Sequence, residues 1–258
     1  MSLLAVKLIV TPLVILAASL AGRRWGEALG GWIVGLPLTS GPVAAFLAVE
    51  RGADFAAEAS AGSLAGAIAQ VAFVCGYALA APWGWPAGLG GGALAYVAAA
   101  LVLQAGAFAP TTLFLVSLAA LALGLAALPR GRPASAPRLA PWWEIPARMV
   151  FVTALVVAVT TFASTLGARA SGVAASFPFI GAAFGVLAHR ADGPRAGVAA
   201  LRGMVAALFS FAFFFFTLGL ALPRTGLLSA FAAATLVALV VQAATLTLVR
   251  DAKLALID

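Results

Sequence analysis

The sequence predicts an all-α protein with about nine transmembrane helices, and three observations lead to this prediction. Of the 258 residues, 64% are hydrophobic and only 9% are charged, whereas a soluble domain carries about a quarter charged residues. The mean hydropathy is +1.12. The chain also divides into apolar runs of about 20 residues, the length that a helix needs to cross the hydrocarbon core. We therefore expect a polytopic membrane protein.

The apolar runs lie between charged residues or turns marked by Pro and Gly. Helices are expected because unpaired backbone groups in lipid cost several kcal/mol each, and the runs are too long for barrel strands. The predicted spans cover residues 3–21, 29–49, 57–80, 87–104, 108–128, 146–167, 172–189, 196–221 and 226–249. A polar linker rich in Pro and Arg, residues 129–144, separates the fifth span from the sixth.

Fifteen Lys and Arg against eight Asp and Glu give a net charge of +7. The cations are spread along the chain and form no basic patch, which argues against nucleic-acid binding. They concentrate in alternate loops, so the positive-inside rule predicts a bacterial-type inner (plasma) membrane protein with its N-terminus outside and its C-terminus inside. The cations assigned to the cytoplasm are Arg23, Arg24, Arg130, Arg132, Arg138, Arg148, Arg190, Arg195, Arg250 and Lys253.

The two halves of the sequence match at one constant offset. Pro37 and Pro178 are 178 − 37 = 141 residues apart, and the same offset pairs residues that fix turns and close approach in four successive spans. These pairs are Lys7 with Arg148, Gly26 with Gly167, Gly31 with Gly172, Gly52 with Gly193, Gly62 with Gly203, and Pro82 with Pro223. The match predicts that spans 1–4 are repeated as spans 6–9.

An odd number of helices precedes the second copy, so the two copies are expected to enter the membrane from opposite sides. The predicted domains are a first four-helix repeat (1–104), a connecting helix with a cytoplasmic linker (105–144) and a second, inverted repeat (145–258). Spans 2 and 7 are expected to face each other near the pseudo-two-fold axis. Such 4+1+4 inverted repeats are typical of secondary transporters that alternate access to a midplane site, although channels also contain them.

The first copy resembles a family of small bacterial membrane proteins. The stretch Gly35-Leu36-Pro37-Leu38, continuing through Phe46 to Glu50-Arg51-Gly52, resembles the short four-span GlpM-like proteins, and the resemblance covers about 60 residues. The second copy departs from it, with Ala191-Asp192-Gly193 in place of Glu50-Arg51-Gly52. The resemblance implies a duplicated, fused form of such an inner-membrane protein, and it brings no defined substrate or catalytic residue.

Prolines at matching places indicate where a substrate could bind. Pro37 and Pro42 in span 2, and Pro178 in span 7, should kink or unwind their helices, because proline lacks a backbone donor and clashes with the preceding turn. Discontinuous helices in both halves are typical of transport sites, and an ordinary proline kink is the alternative. The predicted substrate-binding residues are Pro37, Thr39, Ser40, Pro42, Ser176, Pro178, Arg202, Gln70 and Gln242.

The few charges near the spans narrow the mechanism. Lys7 and Arg148, at equivalent first-turn positions, are predicted to gate or attract an anion, with interfacial anchoring as the alternative. Arg202 either binds substrate or snorkels to the headgroups. No acidic residue lies at the centre of a predicted span, which argues against coupling through a buried carboxylate. His189, at the end of span 7, is predicted to be an interfacial residue and not a proton relay.

The expected function is a secondary transporter or flippase for a small organic or lipid-linked anion, with that substrate and the bilayer as partners. The alternatives are a channel and a non-transporting assembly partner, which would form a homo-oligomer or dock another membrane protein through the small-residue face 61–66. A single cysteine and a single histidine argue against disulfides and metal clusters. Since motifs of membrane enzymes are also missing, we expect no enzymatic activity, metal or cofactor.

Overall fold

The computed structural model describes residues 3–24, 37, 39–129 and 144–254, which are helical apart from short turns. The predicted loops and tryptophans at 25–36 and 130–143 lie outside the described residues. The helices are α1 (Leu3–Arg24), α2 (Ser40–Arg51), α3 (Ala53–Ala80), α4 (Trp85–Ala105), α5 (Pro110–Ala127), α6 (Glu144–Leu166), α7 (Ala168–Ala175), α8 (Phe179–Asp192), α9 (Pro194–Thr225) and α10 (Leu227–Leu254). A single 3-10 turn, Ala81–Trp83, joins α3 to α4.

Seven helical segments of the described chain are long and apolar enough to cross a membrane, by length and composition. They are Ala53–Trp83, Trp85–Ala105, Pro110–Ala127, Ile145–Leu166, Ala168–Asp192, Pro194–Thr225 and Leu227–Thr245. Each matches one of the predicted spans, so the prediction of an all-helical, multi-pass fold is confirmed. The remaining two predicted spans correspond to α1 and to α2 together with residues outside the described part.

The centre of the bundle is formed by α3 and α9, which pack along each other. Phe73 and Leu64 of α3 and Leu218 of α9 are fully buried there. The connecting helix α5 packs against both, and its Phe114 ring stacks on Phe216 of α9 with the ring centroids 4.1 Å apart. The phenylalanine-rich part of α9 is therefore mainly packing surface, and α4 and α10 cover α3 and α9 from outside.

Small residues bring α3 and α7 unusually close together. A Cβ atom added to Gly62 would overlap the carbonyl oxygen of Arg169, and one added to Gly172 would overlap the carbonyl oxygen of Ala59. Residues 61–66 are all buried inside this chain. The prediction that this face docks another membrane protein is therefore wrong, because the face is already covered by a helix of the same chain.

The seventh predicted span is two helices and not one. α7 ends at Ala175, α8 begins at Phe179, and Pro178 lies between them with ψ of 52°. The predicted interruption at Pro178 is thus confirmed. In the second span, Pro37 precedes α2, whereas Pro42 lies inside the first turn of that helix. A proline is tolerated there because first-turn N–H groups have no intrahelical partner, so the predicted break at Pro42 is wrong.

The described parts of the second and seventh spans touch each other away from the centre. α2 packs on α3 and α6 and contacts α7, while α7 packs mainly on α3. The centre of the bundle is occupied by α3 and α9, so among the described residues spans 2 and 7 do not face each other there.

Candidate functional site

A buried ionisable cluster joins α1, α2 and α6 at one end of the bundle. Lys7 of α1 is only 5% exposed. Its ammonium group donates a hydrogen bond to Thr160 Oγ1 of α6 at 2.7 Å and forms an ion pair with the Glu50 carboxylate of α2. The ring of Phe46, one turn before Glu50, lies 5.8 Å from the ammonium nitrogen. We call Lys7, Glu50 and Thr160 the end cluster.

The helix directions explain how distant residues come together in the end cluster. Lys7 lies near the start of α1, Glu50 near the end of α2, and Thr160 near the end of α6. Thr160 also donates its hydroxyl proton to the Val156 carbonyl oxygen at 2.6 Å, so its oxygen is free to accept from Lys7. The positive charge of Lys7 is thereby compensated without contact to bulk water.

The end cluster bears on the predictions about charge. Lys7 is predicted to gate or attract an anion, and the structure places it in a buried ion pair. Glu50 lies in the last turn of α2 with its side chain 18% exposed, in agreement with the prediction that no acidic residue lies at the centre of a span. The sequence signal for this contact is the predicted topology, which places Lys7 of span 1 and Glu50 at the end of span 2 at the same side of the membrane.

A second buried polar group lies one helical turn further along α1. Thr11 is 0% exposed, and its hydroxyl oxygen has no hydrogen-bond partner among the described residues. Positions four residues apart lie on the same face of a helix, so Thr11 follows Lys7 toward the middle of α1. A buried hydroxyl without a partner costs about 1–3 kcal/mol, which makes Thr11 a candidate contact for a ligand or water.

The break before α2 holds another such group. Pro37 is buried, and Ser40, the first residue of α2, is 1% exposed with no hydrogen-bond partner for its hydroxyl among the described residues. Thr39 is half-buried and makes no capping hydrogen bond. The first turn of a helix presents unpaired N–H groups and the positive end of the helix dipole, so Ser40 lies where an anion would be favoured.

At the break between α7 and α8, the hydroxyl groups form hydrogen bonds within the protein, unlike that of Ser40 before α2. The Ser176 hydroxyl donates to the Gly172 carbonyl oxygen at 2.8 Å. The Tyr96 hydroxyl of α4 donates to the Val173 carbonyl oxygen at 2.7 Å. The Tyr96 ring also packs on Phe177, with the centroids 4.9 Å apart. Sequence reasoning missed Tyr96, since nothing in its local pattern indicates a partner on α7.

Arg202 lies away from both breaks and has a structural partner. Its guanidinium group donates to the Leu125 carbonyl oxygen at 3.2 Å, in the last turn of α5. The last carbonyls of a helix lack intrahelical donors, and a cation is favourable at that end. The Arg202 guanidinium group therefore caps α5, and its contact with a substrate stays a prediction.

The remaining candidates lie in separate places. Gln70 of α3 and Gln242 of α10 are both buried. Arg148 lies in α6, and its side chain is outside the described residues. His189 of α8 is buried, with its Nδ1 atom 2.9 Å from the Tyr77 hydroxyl oxygen of α3. The sequence thus placed His189 correctly at a helix end but missed its contact with α3.

Two concavities stand out on the described residues. The first is an apolar groove of about 620 Å³ along α1 and α6, lined by Leu8, Pro12, Pro146, Met149, Val150, Thr153, Ala154 and Val157. The second, of about 410 Å³, is more polar and lies beside the ion pair of Glu58 with Arg169. Neither is lined by Pro37 or Pro178. In the described part of the chain, no group of three His, Cys, Asp or Glu side chains could hold a metal ion.

These features define a multi-pass helical membrane protein that buries an ion pair between its helices and interrupts a span at a proline. Comparisons with known protein families, with curated proteins and with solved structures found no match to this chain.

Proposed function

We propose that the protein is a secondary transporter or flippase that moves a small organic or lipid-linked anion across a bacterial-type inner (plasma) membrane by alternating access. Its nine spans would form a 4+1+4 inverted repeat, with the N-terminus outside and the C-terminus inside. The observation that carries the proposal is a pair of matching helix starts after Pro37 and Pro178.

The two helix starts share their hydrogen bonding. The Pro37 carbonyl oxygen accepts from the Gly41 N–H at 2.7 Å, and the Pro178 carbonyl oxygen accepts from the Ala182 N–H at 2.7 Å. The acceptors are 178 − 37 = 141 residues apart and the donors 182 − 41 = 141. Equal geometry at the offset found in the sequence supports a duplicated element with a break in each copy, which is the arrangement typical of transport sites.

Helix boundaries follow the same offset. α2 and α8 end at 51 and 192 (192 − 51 = 141). α3 and α9 begin at 53 and 194 (194 − 53 = 141). Gly52 and Gly193 join these helices directly, with φ of 92° and 87°, a backbone region that glycine tolerates best. These agreements support the proposed repeat well beyond the two prolines.

Contacts between equivalent helices support a two-fold relation. Helices that lie next to a two-fold axis contact the equivalent helix of the other copy. Here α1 packs on its equivalent α6, and α3 packs on its equivalent α9. The apolar groove along α1 and α6 is lined by two pairs of residues that the offset relates, which we call mates. They are Leu8 with Met149 (149 − 8 = 141) and Pro12 with Thr153 (153 − 12 = 141). A groove of this apolar character on the proposed axis would accept an acyl chain, which supports a lipid-linked substrate.

The orientation and the anionic substrate have separate supports. Arg190, which is assigned to the cytoplasm, lies over the ring of Trp85, 5.9 Å from its centroid, so the end of α8 and the start of α4 lie at the same face, where interfacial Trp is expected. For the substrate, the helix that starts at Ser40 presents its positive dipole end beside a buried hydroxyl without a partner among the described residues. Discontinuous helices use such N-termini to hold anionic groups in transporters.

Reconstitution into liposomes tests the proposal. The purified protein would be assayed with a panel of small carboxylates, inorganic phosphate and a fluorescent phospholipid, and we expect at least one to move faster than in protein-free liposomes. Ser40→Ala should slow that movement, whereas the matched control Ser229→Ala, at an exposed serine near the start of α10, should not. If no member of the panel moves faster than in protein-free liposomes, the transport proposal is wrong.

A further inference from the structure

We infer that the Lys7–Glu50 ion pair is the gate at the outer end of the proposed transporter, and that it opens when an anion replaces Glu50 on Lys7. This inference rests on the proposed function. It assigns a role to Glu50, which is not among the predicted site residues, and it makes Lys7 part of a closed contact that an anion must open.

The first argument is that the end cluster ties the two copies together. α1 and α2 belong to the first copy and α6 to the second, and one ammonium group contacts both Glu50 of α2 and Thr160 of α6. Alternating access requires the copies to separate at one end while they close at the other. Separation at this end must therefore break the Lys7–Thr160 hydrogen bond. The Lys7–Glu50 ion pair lies within the first copy, and it holds the ammonium group in the position from which that bond is made.

The second argument is the difference in exposure within the pair. The Glu50 side chain is 18% exposed and the Lys7 side chain 7%, so the carboxylate is the partner that can move into water. Lys7 would then be left as a buried cation without a counter-ion, which is strongly unfavourable. An incoming carboxylate or phosphate removes this penalty. Opening is thereby coupled to the presence of an anion, and Thr11 offers the next polar contact one turn deeper.

The residues related to the end cluster by the offset lack an acid. Glu50 corresponds to Ala191 (50 + 141 = 191), and Thr160 corresponds to Ser19 (160 − 141 = 19). Arg148 keeps the cation and Ser19 keeps a hydroxyl, but Ala191 supplies no carboxylate. The equivalent positions therefore cannot form the same ion pair, and a gate closed by Lys7 and Glu50 is specific to the outer end.

The inference is tested by water access to Thr11. A T11C reporter in a C75S background, which removes the native cysteine, is reconstituted in liposomes and treated on both sides with an anionic, membrane-impermeant methanethiosulfonate. We expect slow modification with the ion pair intact. E50Q should accelerate it at least about tenfold, equal to about 1.4 kcal/mol in the opening equilibrium. The charge swap K7E/E50K should restore slow modification, since it rebuilds an ion pair.

The matched control is E58Q, which breaks the exposed ion pair of Glu58 with Arg169 and should leave the rate unchanged. Circular dichroism and size-exclusion chromatography confirm that each variant is folded. If E50Q leaves the rate of T11C modification unchanged, or if E58Q raises that rate equally, the inference of a gate is wrong. Inorganic phosphate should slow modification in E50Q, where Lys7 is free, and not in K7E/E50K; equal effects in both would overturn anion binding at Lys7.

The outcome is separable from that of the proposed function. Accessibility is measured without any transport, so a gate that opens in E50Q while no substrate of the panel moves would refute the function and leave the gate. If the protein transports a substrate but E50Q leaves the rate of T11C modification unchanged, the gate is refuted and the proposed function stands.

Discussion

The two proline breaks differ in what satisfies the polar groups around them. At Pro178, the Ser176 and Tyr96 hydroxyls both donate to carbonyls of α7. At Pro37, the Ser40 hydroxyl is buried without a partner among the described residues. The mate of Tyr96 is Val237 (96 + 141 = 237), which carries no hydroxyl. One break is thus closed by the protein's own groups, and the other keeps unused hydrogen-bonding capacity where the proposed substrate would bind.

The largest expected effect comes from a pair of glycines that the offset relates. A Cβ atom at Gly62 would overlap the backbone of α7, whereas one at Gly203 would meet nothing within 4 Å. Gly62→Ala should lower the free energy of unfolding by about 1–3 kcal/mol or more, because α7 must move away. Gly203→Ala should raise it by up to about 1 kcal/mol through helix propensity. Unfolding in mixed micelles, followed by circular dichroism, measures both, and equal effects would contradict the difference between the two copies.

Tyr96 gives the next effect. Tyr96→Phe keeps the ring on Phe177 but leaves the Val173 carbonyl without its side-chain donor. That carbonyl keeps the Ser176 N–H as a donor at 2.9 Å, so we expect the free energy of unfolding to fall by about 0.5–1.5 kcal/mol, the net contribution of one hydrogen bond. The control is Phe114→Leu in α5, which changes packing without removing a hydrogen bond and should not alter the break. Amide hydrogen exchange of residues 173–178 distinguishes them, since only Tyr96→Phe should accelerate it. No acceleration would show that Tyr96 does not close this break.

Arg202 tests whether a cation of the proposed second copy is structural. Its mate is Ala61 (202 − 141 = 61), so the first copy has no equivalent charge. Arg202→Gln should cost about 0.5–1 kcal/mol of stability, since it removes a favourable cation from the end of α5, and transport should persist. Complete loss of transport by a folded Arg202→Gln protein would return Arg202 to the substrate site.

The sequence predicts features that local patterns control. Apolar runs set the spans, and the ring of Pro178 separates α8 from α7. Contacts between distant segments follow no local pattern: Lys7 and Thr160 are 153 residues apart, and Arg202 and Leu125 are 77 apart. The break expected at Pro42 failed for a local reason, since the effect of a proline depends on whether it lies in a first turn or further along. The resemblance to GlpM-like proteins stays a prediction.

The smallest effect on stability, and the sharpest for function, is expected at Ser40. Removing a buried hydroxyl that has no partner among the described residues deletes a group whose desolvation is not offset, so Ser40→Ala should leave the free energy of unfolding unchanged or raise it slightly. At the same time it should slow transport, because the substrate loses a hydrogen-bond donor at the start of α2. Ser176→Ala, whose hydroxyl already bonds to its own helix, is the matched control and should have the smaller effect on transport. Parallel unfolding and liposome assays measure both quantities. A Ser40→Ala protein that loses stability and transports normally would mean that the hydroxyl is structural, and the two breaks would then be alike in serving the fold.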